Sequence, residues 1–405
     1  MNTHTLHIAL PVLGEFVNLP DFFKCIKSQS FKNYKIYVCI NQYDSWWSDP
    51  DKKHFCKDNS QSLDFLKSQN SENLVIIDRS TKGYGWATKK GGVGWARKIL
   101  MDKISTENKN DIIVSMDADT FYPENYLQSI SRYFSEHPKH LGISIPYFHK
   151  LKGDDTDKHI LRYEIYMRYY AVNMLRIQNP YNFTALGSAL ALPIWAYNKI
   201  GGMTPVKSGE DFYLLQKLVK NGKIGQWLET TAYPSSRFSD RVLFGTGPAV
   251  IKGAHGDWSS YPLYLSESFD LVEQAYSLFP ELYKKDIETP MTTFLQDQFK
   301  VNELWVPLRK NYKDQVNFIN ACVNKVDGLR ILQFLRFQNS KLDRINNERI
   351  LKDYLTDYFA DEMDSSLYNI LERLNFNSSS VNELDNLRNF LYSEEMKLRK
   401  KTEDS

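Results

Sequence analysis

The sequence predicts an α/β protein, a doubly wound sheet flanked by helices, with an α-helical C-terminal region. Three observations carry this. Short apolar, β-branched runs alternate with helix-period stretches from His7 to Met116, the pattern of parallel strands joined by crossover helices. The fourth of those runs, Ile112 to Met116, stops abruptly in the acidic triplet Asp117-Ala118-Asp119. From about residue 262 onward, strand-like runs give way to helical stripes.

The elements follow in order. His7 to Leu10 is a strand that ends in Pro11-Val12-Leu13-Gly14-Glu15, and Leu19, Phe22, Phe23 and Ile26 then fall at helical spacing. Ile36 to Ile40 is a second strand, closed by Asn41. Residues Tyr43 to Ser62 are polar and read as an insertion or a loop over a site, with a short helix around Asp64 to Leu66. Leu74 to Ile77 is a third strand. A Gly- and Lys-rich loop, Thr81 to Gly94, runs into a helix from about Trp95 to Ile104. Beyond the fourth strand, Tyr126, Leu127, Ile130, Tyr133 and Phe134 form a helix stripe, and Ile143 to Tyr147 is a strand. An aromatic-rich helix covers about His159 to Ile177, Gly187 to Leu192 is a strand, and Trp195 to Ile200 a short helix. Glu210-Asp211 opens a helix that Asn221-Gly222 closes, and Ile224 to Leu228 is a last strand. Ser380-Val381-Asn382-Glu383 is a capping box before Leu384, Leu387 and Leu391. The expected organisation is a domain over 1–261, a helical region over 262–395 and a charged, fraying tail over 396–405.

Composition narrows the function classes. At 405 residues the chain exceeds one ordinary core, which supports a large domain plus an addition. A formal net charge of +2 offers no polyanion-binding field, so nucleic acid is not expected as a partner. The four cysteines have no metal-type spacing and suggest no disulfide framework. No basic-then-apolar leader opens the sequence, and no run approaches the ~20 apolar residues of a spanning helix. The expected location is therefore the cytoplasm, with peripheral attachment at the inner face of a membrane left open.

The acidic triplet carries the chemistry. Two carboxylates one residue apart, at the carboxyl end of a core strand, sit where open α/β sheets bind ligands. They repel each other unless a cation lies between them, and hard cations such as Mg²⁺ and Mn²⁺ favour carboxylate and phosphate oxygens. The plain alternative is an acidic loop that caps the next helix. Four further stations line up beside the pair: Pro11-Val12 with Glu15, Asn41, the loop-helix Gly92-Val93-Gly94-Trp95-Ala96-Arg97, and Gly209-Glu210-Asp211. The ends of the first, second and fourth strands share one rim, so their spacing suits a nucleotide pocket.

Taken together, IALPVLGE, GVGWARK, SMDAD and GED resemble the family-2 glycosyltransferases of the GT-A fold over roughly His7 to Val250. The resemblance implies a GT-A-like mixed sheet and an inverting, metal-dependent transfer of one sugar from a UDP- or GDP-linked donor, in glycan or polysaccharide biosynthesis. It implies that Pro11, Val12 and Glu15 line the nucleoside pocket. Asn41 stands where the family often has an Asp at the base. Arg97 would approach the nucleotide or an acidic partner. Asp117, with Ala118, would meet the ribose side, and Asp119 would hold Mn²⁺ or Mg²⁺ on the diphosphate. Asp211 would be the catalytic base, with Glu210 beside it. His255 is placed as a late metal ligand, and lone histidines are more often structural.

Arg237 and Arg241 are candidates to clamp a diphosphate or an acidic acceptor, and Trp258 to stack on a sugar face. The Gln-x-x-Arg-Trp motif of processive relatives is absent, which argues against polymer extrusion. The acceptor, whether saccharide, lipid-linked carrier or protein, has no general motif. A sugar-1-phosphate nucleotidyltransferase should carry a Gly-rich, Arg-containing loop after the first strand; here that loop holds only Gly14. A non-catalytic carbohydrate-binding or scaffolding protein is the other alternative, and the intact Asp117, Asp119, Glu210 and Asp211 argue against it.

Overall fold

The computed structural model describes residues 4–87, 90–207, 209–236 and 246–404; the side chains of 246 and 248–250 are not described. Arg237 and Arg241 lie outside the described residues. One six-stranded mixed sheet organises the N-terminal part, in the order β3-β2-β1-β4-β6-β5. β1 (Leu6–Val12), β2 (Tyr34–Asn41), β3 (Leu74–Arg79) and β4 (Ile112–Ser115) run parallel, and β6 (Leu190–Pro193) pairs antiparallel with β4 and with β5 (Ile143–Ser144). The sheet is mixed because β6 returns beside β4 in the opposite sense.

Register sets the geometry of the rim. Val12 pairs with Ile40, Asn41 with Arg79, and Ala9 with Ser115. Met116 extends the alignment by donating its N–H to the Ala9 carbonyl at 3.1 Å. Pro11-Val12, Asn41 and Asp117 therefore leave the sheet on one edge. Chain order changes direction at β1, which has β2 on one side and β4 on the other. That is the topological switch point at which such sheets open a ligand crevice.

The chain divides into two compact units, the first comprising 1–160, 183–256 and 403–405, the second 161–182 and 257–402. In the first, α1 (Leu19–Ser28) buries Leu19, Phe22, Phe23 and Ile26, its helix-period stripe. α2 (Lys53–Ser68) occupies much of the polar stretch expected as a loop. Its inward face includes Asn59 and Ser62, which hid the stripe. Asn59 donates to Gln42 Oε1 at 2.8 Å and accepts the Gly14 N–H at 3.0 Å, so buried polarity here is satisfied rather than solvated. α3 (Val93–Ile104), α4 (Tyr126–Glu136), α5 (Thr156–Arg176), α6 (Ile194–Lys199), α7 (Glu210–Val219) and α8 (Thr246–Ala254) follow in chain order, and α5 belongs to the second unit from residue 161 onward.

The stretch Ile224 to Leu228 is not a strand. It makes one isolated bridge, Gly225 to Ile143, because Gln226 gives its N–H to the Glu403 carboxylate instead of a ladder partner. The strand expected from Gly187 begins at Leu190; the Gly187 carbonyl accepts from the Ser115 hydroxyl at 2.6 Å.

The second unit is helical: α9 (Ser266–Ser277), α10 (Phe279–Leu282), α11 (Thr292–Phe299), α12 (Val306–Asn311), α13 (Gln315–Lys325), α14 (Gly328–Asn339), α15 (Asn347–Phe359), α16 (Ser365–Glu372) and most of α17 (Val381–Asp404). The capping box forms, with Ser380 N–H on Glu383 Oε2 at 2.8 Å and Glu383 N–H on Ser380 Oγ at 3.2 Å. The stretch expected to fray stays helical to Asp404, with Arg399 fully buried. Arg399 is held by Glu395, which accepts from it at 2.7 Å and from Arg168 at 2.6 Å, and Glu164 accepts from Arg388 at 3.1 Å, whereas Lys397, Lys400 and Lys401 are exposed. Buried ions persist only in such pairs.

Candidate active site

The site is assembled around one guanidinium. Arg97, in the second turn of α3, is 3% exposed. Its Nη2 donates to Asp117 Oδ1 at 2.5 Å and its Nη1 to Glu210 Oε1 at 3.0 Å. Those partners lie 20 and 113 residues away in sequence. The surrounding carboxylates of Asp117, Glu210 and Asp211 hold Arg97 firmly protonated despite its burial.

Each carboxylate has a distinct environment. The Asp117 N–H donates to the Tyr122 hydroxyl at 3.0 Å, and Tyr122 donates in turn to the Ser188 carbonyl at 3.1 Å. This pins the turn just past β4 and leaves the Asp117 side chain partly exposed. Ala118 is buried, and Asp119 is half-buried on the same turn. Glu210 and Asp211 open α7, where the unpaired N–H groups favour negative charge. Asp211 Oδ1 accepts the Phe212 N–H at 2.8 Å. Burial pushes both the Glu210 and the Asp211 carboxyls above the ordinary carboxylate range, with Arg97 opposing the shift in each.

Arg97 passes over Gly187 with no space to spare. A Cβ at Gly187 would lie 1.5 Å from Arg97 Nη1. A Gly187→Ala variant is expected to displace Arg97 and lose about 1–3 kcal/mol of stability through overpacking. Chemical denaturation measures this, and a wild-type midpoint would show that the contact is slack.

The rest of the rim is tightly held. Pro11, Val12 and Glu15 are buried, and Glu15 accepts from the Asn18 amide. Asn41 is also buried. Its Nδ2 donates to the Val12 carbonyl at 2.9 Å and its Oδ1 accepts from the Trp86 indole at 3.3 Å. Both ends of the Asn41 amide thus brace β1, β2 and the loop carrying Trp86. Among the expected residues, the structure joins Arg97, Asp117, Glu210 and Asp211 in one cluster.

Others stand apart. His255 is exposed just past α8. Among the described residues, no trio of His, Cys, Asp or Glu that includes Asp119 or His255 converges closely enough to hold an ion; the one such trio is His137, His140 and Glu403. Trp258 belongs to the second unit, where Arg162 stacks over its ring at 5.6 Å and Tyr261 meets it edge-on at 6.4 Å. Sequence reasoning missed Gly187, Tyr122 and Trp86, which act through contacts with no local pattern.

No protein-family model matches the sequence, and no curated protein matches it significantly. Solved structures do show a likeness. S. aureus TarS 1–349 in complex with UDP-GlcNAc is 14% identical, with 95% of this chain and 90% of that chain covered and a TM-score of 0.42. The same protein in complex with UDP gives 11% identity, the same coverage and a TM-score of 0.41. The mannosyltransferase PcManGT from Pyrobaculum calidifontis, in complex with GDP-Man and Mn²⁺, is 12% identical over 80% of this chain and 88% of that one, at a TM-score of 0.35. At such identities and scores no residue role transfers, and the chemistry rests on this chain's own side chains.

Proposed function

We propose that the protein is an inverting glycosyltransferase that moves one sugar from a UDP- or GDP-linked donor to an acceptor hydroxyl. The observation that carries this reading is the Arg97 hub, which brings Asp117, past β4, and the Glu210-Asp211 pair, opening α7, to one buried guanidinium. One cation faces the three carboxyl groups of Asp117, Glu210 and Asp211, and Asp119 adds a fourth on the turn past β4. An oxygen-only, carboxylate-rich donor set of this kind fits Mg²⁺ or Mn²⁺ better than softer metals. Asp119, with Asp117 beside it, would hold the ion, which would neutralise charge gathering on the diphosphate leaving group.

The protein's own groups do the rest. The acceptor oxygen attacks the anomeric carbon and its proton passes to Asp211. The bond from that carbon to the diphosphate oxygen breaks, its electron pair leaving with the diphosphate, and configuration at the carbon inverts. Burial suits Asp211 to this task, because a raised carboxyl pKa makes a stronger base. Glu210 is committed to Arg97, so it positions the hub while Asp211 takes the proton.

Release of nucleoside diphosphate from a panel of nucleotide sugars tests the reading, with and without EDTA. The expected result is metal-dependent turnover of one donor class. Binding without hydrolysis or transfer across the panel would favour a carbohydrate-binding module instead. Undiminished turnover in EDTA would remove the metal from the proposal.

A further inference from the structure

We propose a second metal site, built from His137, His140 and Glu403, that takes a borderline transition-metal ion such as Zn²⁺ and shares no residue with the Arg97 cluster. All three residues lie in the first unit. One ligand atom from each falls within 4.8 Å of the other two.

Local structure explains the convergence. His137 follows the last residue of α4 and gives its N–H to the Tyr133 carbonyl at 2.8 Å. A turn closes with the His140 N–H on the His137 carbonyl at 3.1 Å. It brings the two imidazoles face to face, centroids 4.9 Å apart and 13° from parallel. Glu403, near the end of α17, completes the trio, with Oε1 3.6 Å from His140 Nδ1.

Glu403 is oriented through its second oxygen, as outer partners orient ligands in metal centres, and Tyr133 bridges the facing atoms themselves. The Tyr133 hydroxyl lies 2.6 Å from Glu403 Oε1 and 2.7 Å from His140 Nδ1. The Gln226 N–H fixes Glu403 Oε2 at 2.9 Å. Tyr133 reaches this position only because residue 225 is glycine; a Cβ there would lie 1.7 Å from its hydroxyl.

Donor chemistry selects the ion. Two imidazoles and one carboxylate form the His₂Glu set of zinc sites with an open fourth position, and Mg²⁺ and Ca²⁺ prefer oxygen donors. Zinc bonds of ~2.1 Å require donors about 3.4 Å apart, so the trio must contract by roughly an ångström. The half-buried imidazoles can supply this by rotation. His137 makes ring contacts but no side-chain hydrogen bond, so it is free to turn toward an ion.

Without an ion, a hydrogen-bonded clamp satisfies the same atoms: the His140 Nδ1–H donates to Tyr133, and Tyr133 to Glu403. Metal titration separates the two. EDTA-stripped, dialysed protein carrying Asp119→Ala, which disables the acidic site, is titrated with Zn²⁺ by calorimetry and with Co²⁺ by visible absorption. The expected result is one equivalent bound at micromolar concentration, with the Co²⁺ spectrum of a four-coordinate site. His137→Ala, which breaks no hydrogen bond, should weaken binding at least tenfold, and Glu403→Gln, which keeps an acceptor for Tyr133, should do the same. No binding below millimolar ion, or binding unchanged in both variants, would overturn the site and leave the clamp.

Discussion

Asp211→Asn is expected to retain donor binding and to lose roughly 10²- to 10⁴-fold in transfer rate, the contribution of a positioned general base. The substitution keeps size and an acceptor oxygen for the Phe212 N–H, so the start of α7 should survive. What disappears is the capacity to take a proton. The wild-type pH profile gives an independent check. Transfer requires the carboxylate, so the rate rises as pH climbs through the folded pKa of Asp211. Burial raises that pKa, which sets the acidic limb at higher pH than an exposed aspartate would. Single-turnover transfer at saturating donor, with donor affinity measured separately, reads both quantities. Full transfer by the variant would take the base role from Asp211.

How far the sequence disclosed this site follows from the physics of each part. The turn that carries Asp117 past β4 was legible because an apolar strand cannot continue into carboxylates, and the sheet rim followed from alternation alone. Glu210 and Asp211 were legible as a helix start. That Arg97 joins Asp117 to Glu210 was not, since the pairing spans 113 residues and no periodicity encodes it. Gly187 and Tyr122 were invisible for the same reason, their roles lying in what they touch. Asn59 and Ser62 concealed α2 by placing satisfied polar groups on its inner face. The charged end of α17 misled in the same way: Arg399, in the stretch expected to fray, is buried against Glu395. Composition reports the polarity of a side chain, whereas its burial depends on whether a distant partner neutralises it.

Arg97→Ala should be the most damaging single change to the site, costing about 3–5 kcal/mol of stability together with donor turnover. The guanidinium is buried, and its removal leaves Glu210, itself 3% exposed, without a counter-charge next to Asp117 and Asp211. Arg97→Lys should recover only part of the loss, because one ammonium cannot span two carboxylates as a planar fork does. The pH dependence distinguishes this from simple loss of packing. With both carboxyls raised in the fold, the native state holds protons that the unfolded chain has released, so their contribution to stability falls as pH rises from the ordinary carboxylate range through the raised values. Removing Arg97 raises those carboxyls further and steepens the trend. The deficit of the alanine variant should therefore shrink as pH is lowered and the carboxyls become neutral. Urea denaturation of both proteins across that range measures it. A deficit that does not change with pH would mean that Arg97 acts through its packed volume alone, and the charge-hub account of the site would be lost with it.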